Sequence, residues 1–131
     1  MRLYAGLVNI GIGVSLLVGA IGNVSAAPIE FCDGEYTTID LNNCTSKNLD
    51  YEDSKLNSTY KTLRGMLDRT EKNNLKQAQL AWIDFRDKSC NFTSRELVGG
   101  SMHAIEYTSC LTNYTYQRRI ELQKEIYNIQ R

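Results

Sequence analysis

At 131 residues the chain has room for one domain, and its fifteen acidic and fifteen basic side chains leave no net charge. A nucleic-acid binder would concentrate bases on one face, whereas here acids and bases alternate, which argues against that class. The uneven part is residues 27–54, with seven acids against Lys47 alone; from Lys55 onward thirteen bases meet eight acids.

The first stretch reads as an export signal. Arg2 gives a short positive start, residues 3–22 are apolar except for Asn9 and Ser15, and Val24-Ser25-Ala26 precedes a cleavage point with Ala27 as the new N-terminus. Twenty apolar residues would also span a bilayer, but four glycines between positions 6 and 19 and the small-residue end favour cleavage. Cys32 follows Glu30 and Phe31 rather than small residues, which argues against a lipid anchor. Residues 1–26 are therefore expected to be a signal peptide, and residues 27–131 a soluble domain, periplasmic or secreted.

A domain of that size buries only about two-thirds of its unfolded surface, so cross-links help it. Cys32, Cys44, Cys90 and Cys110 all lie in it, and an even count in a small exported domain reads as two disulfides. Three pairings exist. Cys32–Cys44 and Cys90–Cys110 are favoured because each closes a short loop, worth about 3 kcal/mol in the chain-entropy model. Zinc is disfavoured, since there is no C-x-x-C pair and His103 is the single histidine.

Residues 27–48, with Pro28, Gly34 and several Thr and Asn, read as an irregular or short-helical lobe tied by Cys32–Cys44. Over residues 49–68 Leu49, Leu56, Tyr60, Leu63 and Leu67 fall at helical spacing, with Gly65 weakening the end. Asn73-Asn74 interrupts the pattern. A second helix is predicted over 75–90, with Leu75, Ala78, Trp82, Phe85 and Ser89 on one face. Gly99-Gly100 marks a loop. A third helix follows over 104–130, its stripe formed by Tyr107, Leu111, Tyr114 or Thr115, Arg118, Leu122, Ile126 and Ile129. Arg118 among apolar neighbours is expected to be partly buried and paired with Asp53 or Asp87. The expectation is an all-α, small three- to four-helix disulfide-bonded domain.

No catalytic constellation emerges. Ser101 stands two residues from His103, but no G-x-S-x-G elbow surrounds it. Asp84 and Asp87, three apart, suit a solvated helix face, and Gly99-Gly100-Ser101 lacks the spaced glycines and Lys-Ser/Thr of a phosphate loop. No cofactor motif or metal-ligand set is present, so the chain reads as a non-enzyme. Trp82 and Arg86, four apart, share a helix face and invite a cation–π stack, although a Trp at such spacing is more often core. The two glycines permit positive φ after a helix end, and also close approach of a partner to the backbone. Asn-x-Thr sequons at Asn43, Asn57, Asn91 and Asn113 fit coincidence in an Asn- and Thr-rich bacterial chain.

Taken together, Leu56-Asn57, Tyr60 and Leu63, then Gln79, Trp82, Phe85-Arg86-Asp87 and Cys90, then Gly99-Gly100-Ser101-Met102, Cys110-Leu111, Thr115, Arg118 and Leu122 resemble the LprI-type lysozyme inhibitor family. The similarity runs over residues 32–122 and is specific as a set rather than in any one piece. It implies an all-helical disulfide-bonded domain, in which Trp82, Arg86, Asp87 and Arg118 are motif positions, and a protein partner, with lysozyme the named target. The chain departs from members that carry a lipid-attachment cysteine. The expectation is an exported inhibitor whose loop over residues 96–106, with Gly99, Gly100, Ser101, Met102 and His103 presented between Cys90 and Cys110, enters or covers a lysozyme cleft. The acidic N-terminal region would add attraction to a basic enzyme, although an ordinary solvated surface has the same composition. The alternative is a periplasmic accessory module of the cell envelope without lysozyme inhibition; an envelope hydrolase is disfavoured for want of a constellation.

Overall fold

A computed structural model describes Cys32, Gly34 and residues 37–131. The expected signal segment, its cleavage point and the first acids, Glu30, Asp33 and Glu35, lie outside the described residues. Three helices account for nearly everything else: α1 (Thr38–Met66), α2 (Arg69–Thr93) and α3 (His103–Ile129), with one 3₁₀ turn at Arg95–Leu97. Both disulfides have the favoured pairing, Cys32–Cys44 and Cys90–Cys110. The fold is all-α.

α1 starts eleven residues earlier than its apolar pattern predicts. Thr37 Oγ1 accepts the Asp40 N–H at 3.2 Å while Asp40 Oδ2 accepts the Thr37 N–H at 3.1 Å, a reciprocal cap that satisfies two otherwise orphan donors. The Thr37 hydroxyl, which donates to Asp40 Oδ2 at 2.7 Å, and then the Thr37 N–H hold the Asp40 carboxyl below its ordinary pKa. Cys44 is therefore helical, and the lobe expected to be irregular or short-helical is, from Thr38 on, the first three turns of α1. α2 likewise starts early. Asp68 Oδ1 accepts from Glu71 N at 2.8 Å and Glu71 Oε2 from Asp68 N at 2.9 Å, so Asn73 and Asn74 sit inside the helix rather than before it.

Only Leu67 and Asp68 join α1 to α2, which makes the two antiparallel. α3 then runs parallel to α1, and α1 with α3 forms the main packing interface. One apolar cluster consists of Leu56 and Leu63 of α1 and Leu122 of α3, with Tyr60, Leu67, Leu75, Trp82 and Ile126 packed around them, and Ile105 and Leu111 of α3 are buried nearer the other end. α2 buries only Cys90 completely. It meets the bundle through Leu75 and Trp82 of the expected stripe and through Gln79, Arg86 and Cys90 beside it, whereas Ala78 and Phe85 of that stripe turn outward. Phe85 consequently lies 57% exposed, its edge against Tyr114 at 5.7 Å.

Polar groups fill the rest of the interior. Glu52, 1% exposed, receives Arg119 Nε at 2.8 Å and Nη2 at 3.3 Å. One level away Arg86 of α2 reaches both neighbours: Nη1 lies 3.5 Å from Asp53 of α1 and donates to Thr115 of α3 at 3.2 Å, while Nε donates to Asp87 at 2.9 Å. Its guanidinium also sits 5.1 Å over the Trp82 ring, so the Trp is both core wall and cation–π partner. Burial pushes the Asp53 carboxyl above its ordinary pKa; Arg86 opposes the rise, and Asp50 and Asp87 add to it. Arg118 is half-buried, but its partners are Gln79 at 3.0 Å and Glu121 at 2.8 Å, not Asp53 or Asp87. The reason is register. Both aspartates lie at the level of Arg86, and Arg118 is nearly a turn farther along α3, beside Gln79. Every buried side-chain nitrogen and oxygen among the described residues has a hydrogen-bond partner.

Candidate functional site

The connection from α2 to α3 is built in three layers. The outermost clamp is Cys90–Cys110, with Cα atoms 5.6 Å apart and Cys90 fully buried. One turn on, Ser94 closes α2: its N–H donates to the Cys90 carbonyl at 3.0 Å, and so does its hydroxyl at 2.9 Å. The Ser94 hydroxyl also lies 3.2 Å from His103 Nε2, a hydrogen bond that ties the first residue of α3 to the end of α2. The His103 ring also stacks on Tyr107 at 6.3 Å.

Inside the neck the backbone bonds to itself. Leu97 N donates to Ser94 O at 3.0 Å, Gly100 N to Leu97 O at 2.9 Å and His103 N to Gly100 O at 3.3 Å. The two glycines are required for different reasons. Gly99 has φ +88°, which side-chain-bearing residues rarely adopt. Gly100 has no positive φ, but a Cβ there would stand 3.3 Å from the Leu97 carbonyl oxygen.

This folding turns apolar side chains outward. Val98 is 71% exposed and Met102 45%, with Leu97 and Ser101 exposed beside them. Phe92, 67% exposed, extends the patch from the last turn of α2 under the Arg95 guanidinium, 4.2 Å from its ring. Next to the clamp, Thr93, Glu106, Ser109, Cys110, Asn113 and Tyr114 border an open concavity of about 460 Å³. From Leu97 through Met102 the loop carries no charge.

Of the residues singled out in the sequence, Gly99, Gly100, Ser101 and Met102 stand on the exposed turn. His103 does not: it begins α3 and holds the neck. The four motif positions Trp82, Arg86, Asp87 and Arg118 lie along the middle of the bundle. The acidic region is mostly spoken for: Asp40 caps α1, Glu52 faces Arg119 and Asp53 faces Arg86, which leaves Asp50 exposed among the described acids. Ser94 escaped the sequence reading because a Ser four residues after a Cys carries no distinctive signal. Among the described residues no three His, Cys, Asp or Glu side chains are grouped to hold a metal ion, and no helix is long and apolar enough to cross a membrane.

Comparison with known proteins places the chain. The family model described as Lysozyme inhibitor LprI matches residues 32–122, from the first cysteine to the last fully buried leucine of α3. An uncharacterized protein of Rhizobium meliloti (strain 1021) is 31% identical over 106 residues, covering 71% of this chain and 76% of that protein. No solved structure matches.

Proposed function

The chain belongs to the lysozyme inhibitor LprI family, and from that membership we propose that it is an exported, non-enzymatic inhibitor that blocks a cell-wall lytic enzyme with the loop between α2 and α3. It acts outside the cytoplasm, in the periplasm or beyond, and guards peptidoglycan. The observation that carries this reading is the outward-turned pair Val98 and Met102 on a self-bonded turn between Cys90 and Cys110.

The physical case has three parts. A turn already folded by its own hydrogen bonds and clamped by a disulfide loses little further freedom on binding, so more of the contact energy appears as affinity. Burying Val98 and Met102 in a partner contributes about 1.5–3 kcal/mol for each side chain fully covered. Enzymes that cleave glycosidic bonds work with a pair of carboxylic residues in a cleft. A loop uncharged from Leu97 to Met102 enters such a cleft without like-charge repulsion.

Titrating the purified protein into a cell-wall lysis assay with a basic animal-type lysozyme tests this. Lysis should slow in a saturable way. Val98→Asp and Met102→Asp should each raise the half-inhibitory concentration by about tenfold or more, as expected for losing one buried side chain, with the melting temperature unchanged because both sites are exposed. No slowing at large molar excess removes the inhibitor reading; undiminished inhibition by both variants removes the loop from it.

A further inference from the structure

Apart from the loop, α2 leaves a second row of side chains in solvent. Lys76, Leu80, Ile83 and Asp87 follow one another at spacings of four, three and four residues, so the winding of the helix sets them on one face. Lys76, Leu80 and Ile83 are exposed, and Asp87 is half-buried. Neither apolar residue joins the leucine cluster, which α2 reaches through Leu75 and Trp82. Scattered exposed apolar residues call for no account, but these two lie together between a base and an acid.

The two charges do not serve α2 itself. Both stand too far from its ends for the helix dipole to matter. Eleven residues separate them, about 16 Å along the axis, beyond the reach of a pair within one helix. Among the described residues Lys76 enters no ion pair. Asp87 gives Oδ1 to Arg86 Nε, and no described donor reaches its Oδ2.

We infer that this row is a docking surface for a second copy of the chain, the two α2 helices lying antiparallel about a two-fold axis between Leu80 and Ile83. The spacing is that of a coiled-coil seam. Antiparallel, Leu80 of each copy meets Ile83 of the other and Lys76 meets Asp87, every contact being made twice by symmetry. Parallel, base would face base and acid would face acid, which is repulsive. A foreign helix would have to carry the reverse order of charges; a second copy presents that order already. The contact is small, which suits a reversible dimer rather than a permanent one. The α2–α3 loops stay outside it, at opposite ends of the pair and about 40 Å apart, the length of α2. On the function proposed above, one dimer offers two inhibitory loops.

Analytical ultracentrifugation of the purified protein over a wide range of concentration tests the pairing. A monomer–dimer equilibrium is expected, weakened by salt because exposed ion pairs contribute to it. Leu80→Glu puts an acid into both central contacts and should weaken the dimer about a hundredfold, with the melting temperature of dilute protein unchanged because the site is exposed. Lys76→Glu and Asp87→Lys should each weaken it about tenfold, two pairs being lost and two repulsions gained. Mixing those two variants should restore wild-type affinity, since each supplies the charge that the other lacks. A protein monomeric up to about 1 mM, where even a weak contact shows, a dimer untouched by Leu80→Glu, or charge variants that do not recover on mixing overturns the inference. Should Asp87→Lys fail to fold for want of its contact with Arg86, Leu80→Glu decides alone. The readout is mass, so a failed dimer and failed inhibition are told apart.

Discussion

Replacing both clamp cysteines, Cys90→Ala with Cys110→Ala, separates what the disulfide does for stability from what it does for the loop. The bridge spans 20 residues. In the chain-entropy model a loop of that length removes about 11 cal/mol/K from the unfolded state, or about 3 kcal/mol at 25 °C. Losing the buried sulfurs adds about 1 kcal/mol. For a domain of about 100 residues each kcal/mol moves the midpoint by about 4–8 °C, so thermal unfolding by circular dichroism should fall by about 15–30 °C. The neck would then rest on the Ser94–His103 hydrogen bond, worth about 1 kcal/mol. Re-ordering even one or two loop residues on binding costs about 1–2 kcal/mol each. Lysis assays well below the lowered midpoint should therefore show a half-inhibitory concentration raised about thirtyfold, the equivalent of about 2 kcal/mol. A variant destabilised as calculated that still inhibits at wild-type concentrations would refute the reasoning, since the bridge would then stabilise the fold without pre-ordering anything for a partner.

Two further predictions concern the polar interior. Glu52→Gln strips the charge from a nearly fully buried carboxylate bonded twice by Arg119, and should cost about 3–5 kcal/mol in urea unfolding, with Glu52→Leu/Arg119→Met recovering most of it. A loss below about 1 kcal/mol would mean the pair is hydrated in solution. Asp53 titrates with the opposite sign from a salt-bridged carboxylate. Its folded pKa is raised, so the folded state takes up the proton first, and stability from this group rises as pH falls from the raised value toward the ordinary one. Asp53→Asn should remove that gain, so that melting temperatures measured across the acid range fall more steeply with acid than in wild type. Curves that stay parallel would show Asp53 solvated.

Some of this architecture could be read from residue types because local chemistry alone determines it. The cysteine spacings select the two short bridges, and Gly99-Gly100 marks the turn, with Gly99 at positive φ and Gly100 tight against the Leu97 carbonyl. What escaped reading depends on neighbours distant in sequence. The early start of α1 rests on an Asp at Asp40 where capping boxes usually carry Glu or Gln, so a Thr- and Asn-rich stretch passed for irregular chain. The face of α2 was legible only in part, through Leu75 and Trp82, because its contact ridge also runs through Gln79 and Arg86, polar residues that hydrophobic periodicity ignores. Arg118 and Arg119 are adjacent and alike in composition. Only the register of α3 against α1 decides that Arg119 is buried against Glu52 while Arg118 reaches Gln79. His103 looked like a tip residue because it follows the loop glycines, yet one turn of α3 draws its ring back to Ser94.

The distribution of forces along the bundle explains why the clamps sit where they do. Glu52 pairs with Arg119 across an offset of 67 residues, and in parallel helices that offset puts Cys44 level with Leu111, beside Cys110. Both disulfides are therefore at the loop end. The apolar cluster of Leu56, Leu63 and Leu122 occupies the other half, toward the α1–α2 turn. At the loop end Cys90, Ile105 and Leu111 are buried beside Thr45, Ser94, Thr112 and Thr115, so the interior there mixes apolar side chains with hydroxyls that satisfy hydrogen bonds but contribute little hydrophobic stabilisation. Ile105 and Leu111 stand outside the leucine cluster, so without cross-links this mixed interior would open more readily than the half packed around Leu56, Leu63 and Leu122. The covalent bonds reinforce a mixed interior at the end where an exposed apolar turn has to be kept in shape, while the other half is held by leucine packing.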